Sequence, residues 1–177
     1  MKKGIFLSLI LLFALTVNIG CEALDVTKEF TLDISLDVYS ATADINDAEV
    51  LYADSLSDVI AEYDQLIKDI EILELTFQIT NVGAGNEATK IPYSAFSVAD
   101  ENGDGQELIA TFQNQEIATM PLPQPLPLNQ GGVVRFEELI KNAPHRALLT
   151  NTGYADGAPV ECTVKFFFKI KMTANPL

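Results

Sequence analysis

Residues 160–172, VECTVKFFFKIKM, alternate between apolar and polar side chains along almost their whole length. Val160, Cys162, Val164, Phe166, Phe168, Ile170 and Met172 fall on one side, and Glu161, Thr163, Lys165, Lys169 and Lys171 on the other. A period of two over such a length is the pattern of a strand with one buried face. Residues 28–40, KEFTLDISLDVYS, repeat it, with Phe30, Leu32, Ile34, Leu36 and Val38 inward. The outward positions carry Asp33 and Asp37 on one segment and Lys165, Lys169 and Lys171 on the other. Opposite charges across a strand pair are favourable, so the two segments are expected to lie side by side.

Between these strands, Leu56, Val59, Ile60, Tyr63, Leu66, Ile67 and Ile70 recur at three- and four-residue intervals, which predicts an amphipathic helix over 54–70 with Asp54 and Ser55 as caps. Alternation resumes over 71–82, with a phase slip near Ile72 and Leu73 that a bulge would absorb. Further strands are expected at 93–99, 107–112 and 116–120, and a short second helix at 136–141 after Gly131-Gly132. The four prolines of MPLPQPLPLNQGG, 120–132, read as an extended crossover between sheets. Strands spread along the chain with two helical segments predict a mainly β fold, an antiparallel β-sandwich, with α+β as the alternative. The domain is expected to occupy residues 28–177, with helix 54–70 plugging an end or covering an edge.

The first twenty residues have a different character. Lys2 and Lys3 precede an apolar run, Gly4 to Val17, that is short for a membrane span and suited to an export signal. The sequence that follows, Asn18-Ile19-Gly20-Cys21, resembles the lipobox of bacterial lipoproteins. That resemblance implies cleavage after Gly20, a diacylglyceryl thioether on Cys21, acylation of the new amino terminus, and residues 21–27 as the lipidated tether. Several acyl chains anchor stably where one binds only marginally. The implied address is the extracytoplasmic side of a membrane in the cell envelope, with the membrane itself as a partner through the lipid. Cleavage after Ala23 would instead release a secreted or periplasmic soluble protein.

Removal of residues 1–20 leaves nine basic residues (11 less Lys2 and Lys3) against 25 acidic ones, a net charge of −16. Such a chain repels phosphate backbones, so nucleic acid is a poor partner. The charge is uneven, with 20 acids and three lysines in residues 22–107 but five acids and six basic residues in 108–177.

Three features bear on chemistry. Asp100, Asn102 and Asp104, followed by Gly105, stand at positions one, three, five and six of a spacing that resembles the first half of an EF-hand calcium loop, although Thr111 occupies position twelve. Asn-Gly and Asp-Gly are equally hairpin-turn dipeptides, so a Ca2+ site and a plain hairpin tip are both compatible with the segment. His145 reads as a surface-loop residue with no Gly-x-Ser-x-Gly elbow to serve, and no catalytic residue is assigned. Cys162 reads as a buried, inert thiol, and the five tyrosines read as scattered. The functional expectation is a non-catalytic binding or structural module of the envelope. The alternatives are a calcium-dependent adhesion module and a carboxylate-based hydrolase.

Overall fold

The computed structural model describes residues 25–175, which form two four-stranded antiparallel sheets packed face to face. In the first sheet the order is β1 (Val26–Ser40), β8 (Val160–Ala174), β3 (Ile67–Val82) and β6 (Gln124–Pro125). In the second it is β2 (Asp44–Tyr52), β7 (Arg146–Tyr154), β4 (Lys90–Ala99) and β5 (Glu107–Glu116). The fold is therefore a mainly β sandwich.

The two segments with the strongest alternation are neighbours, β1 and β8, paired without a break from Val26 opposite Ala174 to Ser40 opposite Val160. Their inward residues are buried, with Leu32, Phe166, Phe168, Ile170 and Met172 fully enclosed. The charge pairing differs in detail from the expected one. Asp33 lies opposite Phe167, and Asp37 accepts from the Thr163 hydroxyl at 2.8 Å. The lysines instead pair with Glu29 (Lys169, 3.6 Å) and with Glu71 of β3 (Lys171, 2.9 Å). Because β8 lies between two acidic strands, its lysines have a choice of partner that two strands alone would not offer. Such exposed pairs contribute about 0–1 kcal/mol each.

The aromatic core links the sheets. Phe166 of β8 stacks on Phe96 of β4 with centroids 4.1 Å apart and ring planes within 5°. Phe112 of β5 meets Phe166 at 5.9 Å and Phe77 of β3 at 4.7 Å, both edge-on. At the other end Phe168 meets Phe136 at 4.8 Å.

Phe136 belongs to the helix that closes this end of the sandwich, and that helix is not the one expected. Residues 53–66 form two short helices, α1 (Ala53–Leu56) and α2 (Asp58–Tyr63), then a 3-10 turn, Asp64–Leu66. Ser57, rather than Asp54 or Ser55, caps α2 by accepting from Ile60 N. From Ile67 the chain is already strand, because β8 extends to Ala174 and offers its backbone groups to Ile67, Asp69 and Ile70. The stripe at 67 and 70 belongs to a strand edge, where ladder hydrogen bonds prevail over helical periodicity. The bulge expected near Ile72 is present as a register shift between Ile72 and Glu74.

The end plug is α3 (Gln130–Lys141), six residues longer at its start than the expected 136–141. Asn129 caps it through Gly131 N at 3.0 Å. Gly131 and Gly132 are weak helix formers, which hid the first turns. Gly132 is required by packing: a Cβ there would overlap the carbonyl of Leu108 on β5.

The proline segment carries the chain from β5 in one sheet to β6 in the other, as expected of a crossover. Its non-proline amides bind the edge of β3, Met120 N to Ile79 O at 2.8 Å and Leu126 N to Leu75 O at 2.9 Å. Residues 107–116 are a single strand, and 117–120 lie outside it. Two strands were not legible at all. On β2 the alternate positions Ile45, Asp47, Glu49 and Leu51 are buried only at Ile45 and Leu51, with Asp47 half-buried and Glu49 exposed, and on β7 the inward positions are Ala147, Leu149, Asn151 and Gly153. Acids, a glycine and an asparagine break the apolar alternation. Asn151 is accommodated by a buried hydrogen bond with the Ser94 hydroxyl.

Alanine is the stronger helix former by about 1 kcal/mol, yet Gly132→Ala should destabilise the domain. Overpacking against fixed backbone costs about 1–3 kcal/mol, so the urea midpoint should fall. A midpoint at or above that of wild type would show that α3 can withdraw from β5.

Candidate functional site

The charged residues that converge do so around the carboxyl end of α3. A cleft of about 270 Å³ is lined by Asp100, Glu101, Arg135, Glu138, Asn142 and Arg146, among others. Its floor is the β4–β5 connection. There Asp100 Oδ1 accepts from the amides of Asn102 and Asp104, each at 2.9 Å, and Asp100 N donates to Asp104 O at 3.1 Å. These amides, with the Arg135 guanidinium nearby, hold the Asp100 carboxyl below its usual range. Gly103 and Gly105 take φ of +91° and +65°, conformations that favour glycine and close the turn.

Asp100, Asn102 and Asp104 are thus brought together at the tip of the β4–β5 hairpin. The Asn102 and Asp104 amides, not their side chains, point to Asp100, and Arg135 donates to Asp104 O at 3.4 Å and lies 4.0 Å from Asp100 Oδ2. Among the described residues, no group of three or more His, Cys, Asp or Glu side chains is disposed to hold a metal ion.

Two arginines face the acids across the cleft. Arg135, on α3, approaches Glu138 at 3.8 Å, and its Nε is buried without a protein partner. Arg146, at the start of β7, binds Glu101 at 3.0 Å and lies 5.0 Å over the ring of Tyr52. The hydrogen bond to Glu101 raises the Arg146 pKa. Basic residues of the second half of the chain therefore meet acids of the first half, a meeting foreshadowed only by the uneven charge along the sequence. The arrangement clamps the hairpin tip to α3 and β7.

His145 adjoins a second cleft, about 320 Å³, that shares Ala143, Pro144 and Arg146 with the first. It is not a surface-loop residue. Its side chain is buried, Nδ1 lies 2.8 Å from Ile140 O, and Nε2 lies 2.7 Å from Asp64 Oδ1. Its carbonyl accepts from Ala53 N at 3.0 Å. The residue joins the end of α3 to the 3-10 turn and to α1, and a loop residue can be buried only when its polar groups find such partners. His145 and Asp64 are 81 positions apart, so no local pattern reveals the link.

Cys162 is buried and free, and burial pushes its thiol up to about 11, with the Asp47 carboxylate adding to the effect. A thiol so placed holds little thiolate near neutrality and is a poor nucleophile. Cys21, the expected lipid attachment site, lies outside the described residues, as do residues 1–20.

Glu137 was not singled out by sequence. From α3 its Oε1 accepts from Ile72 N at 2.7 Å, satisfying the amide beside the β3 bulge. Desolvation raises its pKa, and Asp69 and Glu71 add to the rise.

The chain matches no protein-family model and no curated protein sequence. Among solved structures it is similar to Desmodium yellow mottle tymovirus, with 13% identity, 86% of this chain and 90% of that chain covered, and a TM-score of 0.42. Tobacco necrosis virus gives 9% identity, 85% and 84% coverage, and 0.41. A decameric BFDV capsid protein gives 9%, 84% and 98%, and 0.37. Likenesses of this degree carry no argument about this chain, whose architecture rests on its own strand pairings.

Two outcomes are expected at this end of the molecule. A carboxyl whose folded pKa is raised contributes stability below its unfolded pKa and loses that contribution as pH rises through the folded value. Glu137→Gln keeps the acceptor for Ile72 N without the charge. The variant should be at least as stable as wild type at pH 7, with the difference vanishing by pH 4, in urea melts at the two pH values. A less stable variant at pH 7 would show that the ionised form is the favoured one. Because Asp100 is engaged by its own loop and by Arg135, millimolar Ca2+ should leave the melting temperature unchanged. A calcium-dependent rise that Asp100→Asn abolishes would establish a cation site.

Proposed function

We propose that this chain is a lipid-tethered, extracytoplasmic protein whose β-sandwich serves the cell envelope as a non-catalytic binding or structural module. The observation that carries the reading is the short interval between Cys21 and the first strand, which begins at Val26. Five residue steps span at most about 17 Å. An anchor at Cys21 would keep the near end of the sandwich, where Val26, Ile67 and Ala174 meet, against the membrane surface. Acids at this end, such as Asp64 in the turn that meets Asn175, would repel an anionic leaflet and set the domain's spacing from it within that reach. Among the described residues no helix is long and apolar enough to cross a membrane, so in this proposal attachment falls to Cys21.

A non-catalytic role is supported by the way charged groups are occupied. Both ring nitrogens of His145 have protein partners, and Arg146 is committed to Glu101. The clefts hold the domain's end together with these groups.

Expression of the full chain in a bacterium with radiolabelled fatty acid tests the tether. Wild type should carry the label and sediment with membranes after a high-salt wash, and Cys21→Ser should lose the label completely. Label retained by the Cys21→Ser variant would overturn the proposal.

A further inference from the structure

The two outer faces of the sandwich differ in charge. On the first sheet, outward positions carry Glu29, Asp33, Asp37, Glu71, Lys169 and Lys171 among others. On the second, the outward positions run from Asn46 to Val50 on β2, Leu148 to Tyr154 on β7, Tyr93 to Ala99 on β4 and Leu108 to Gln113 on β5. These hold Asn, Ala, Val, Leu, Thr, Ser, Tyr and Gln, and not one Asp, Glu, Lys or Arg. Charge returns at the perimeter, with Asp44 at one end of β2, the exposed Glu49 along the β2 edge, and the Arg146–Glu101 pair at the opposite end. Tyr93 and Tyr154 stand directly opposite one another, and both are exposed, as are Ala48 and Thr152.

We propose that this face is a self-association surface, on which a second copy of the chain packs sheet against sheet about a twofold axis. Charge selects that occupant. Two chains of net charge −14 repel on approach, and the second sheet's outer face is where they can meet without bringing carboxylates together. An uncharged face likewise offers nothing to a strongly basic or acidic partner. Its area fits a weak, concentration-dependent dimer. The stretches whose outward positions are uncharged are five to seven residues on each strand; at about 3.3 Å per residue they are about 20 Å long, and four strands at about 4.8 Å spacing are about 19 Å wide. That is about 400 Å² on each copy, or about 800 Å² in all, the size of a transient contact rather than of an obligate interface. Small Thr, Ser and Ala side chains allow close approach, as in aligned sheet packing, while Tyr93, Tyr154, Val50 and Leu148 supply apolar contact. A twofold axis uses one patch twice, so a single substitution acts twice.

The test is the mass of the full-length chain across a concentration series, in a non-ionic detergent held in large molar excess of micelles over protein. Wild type should pass from monomer to dimer, with association strengthening as salt rises from 0.05 to 0.5 M, about a threefold fall in Debye length. Thr152→Glu and Ala48→Glu, both at exposed positions, should weaken dimerisation at least tenfold. Ser35→Glu, exposed on the other sheet, adds the same charge and should leave it unchanged. Circular dichroism melts show whether each variant is folded, and Thr152→Gln, which adds bulk without charge, should dimerise more tightly than Thr152→Glu. A wild type that stays monomeric at every concentration, or a Ser35→Glu variant as impaired as Thr152→Glu, would overturn the proposal.

Discussion

The stack of Phe166 on Phe96 joins the central strand of one sheet to the other sheet, and much of the structure depends on it. Neither sheet could be stable alone, since each buries one apolar face only against its counterpart. Phe166 can occupy this position because β8 is flanked on both sides, by β1 and β3, and so cannot shift without breaking two registers. Phe168, two positions on, extends the same contact to Phe136 of α3. One strand therefore sets the spacing of the sheets and the seat of the helix that closes their end.

Closing that end creates the polar problems that the clefts answer. The bulge in β3 leaves the Ile72 amide to be bound, and Glu137 supplies the acceptor at a cost in desolvation. The end of α3 leaves the Ile140 carbonyl, and His145 meets it while reaching Asp64 with its other nitrogen. Arg135 holds the β4–β5 tip against the same helix, and Arg146 holds it against β7. These polar groups concentrate where irregular backbone must be buried, which is where unsatisfied donors and acceptors are most costly.

Charge is distributed by face as well as along the chain. Lysines of β8 are set between acids of β1 and β3, leaving one outer face mixed and acidic, while the other is neutral. On the edge strand β2 the acid Asp47 points inward, where burial raises its pKa and leaves Oδ2 without a protein partner. An inward charge on an edge strand discourages further strands from adding there. The neutral face can then be used for sheet-on-sheet contact while strand addition at this edge is resisted.

Sequence alone determined the class of fold, because a period of two over residues 28–40 and 160–172 can bury one face only as a strand; the two strands are neighbours, although Asp33 and Asp37, which suggested it, meet Phe167 and Thr163 rather than lysines. It also located the bulge at Ile72, the crossover through the prolines and the buried state of Cys162, all of which follow from local backbone chemistry. Tertiary structure decided what depended on distant partners. Whether Ile67 and Ile70 were helix or strand was settled by the reach of β8 to Ala174. The strands β2 and β7 became strands, with Asp47, Asn151 and Gly153 at inward positions, because their neighbours supplied the ladder. His145 became a buried link because Asp64 and Ile140 were brought to it, and three of the five tyrosines, Tyr52, Tyr93 and Tyr154, came to share one face only when β2, β4 and β7 were aligned. In each case the deciding partner lies far away in sequence, and periodicity reports only what lies near.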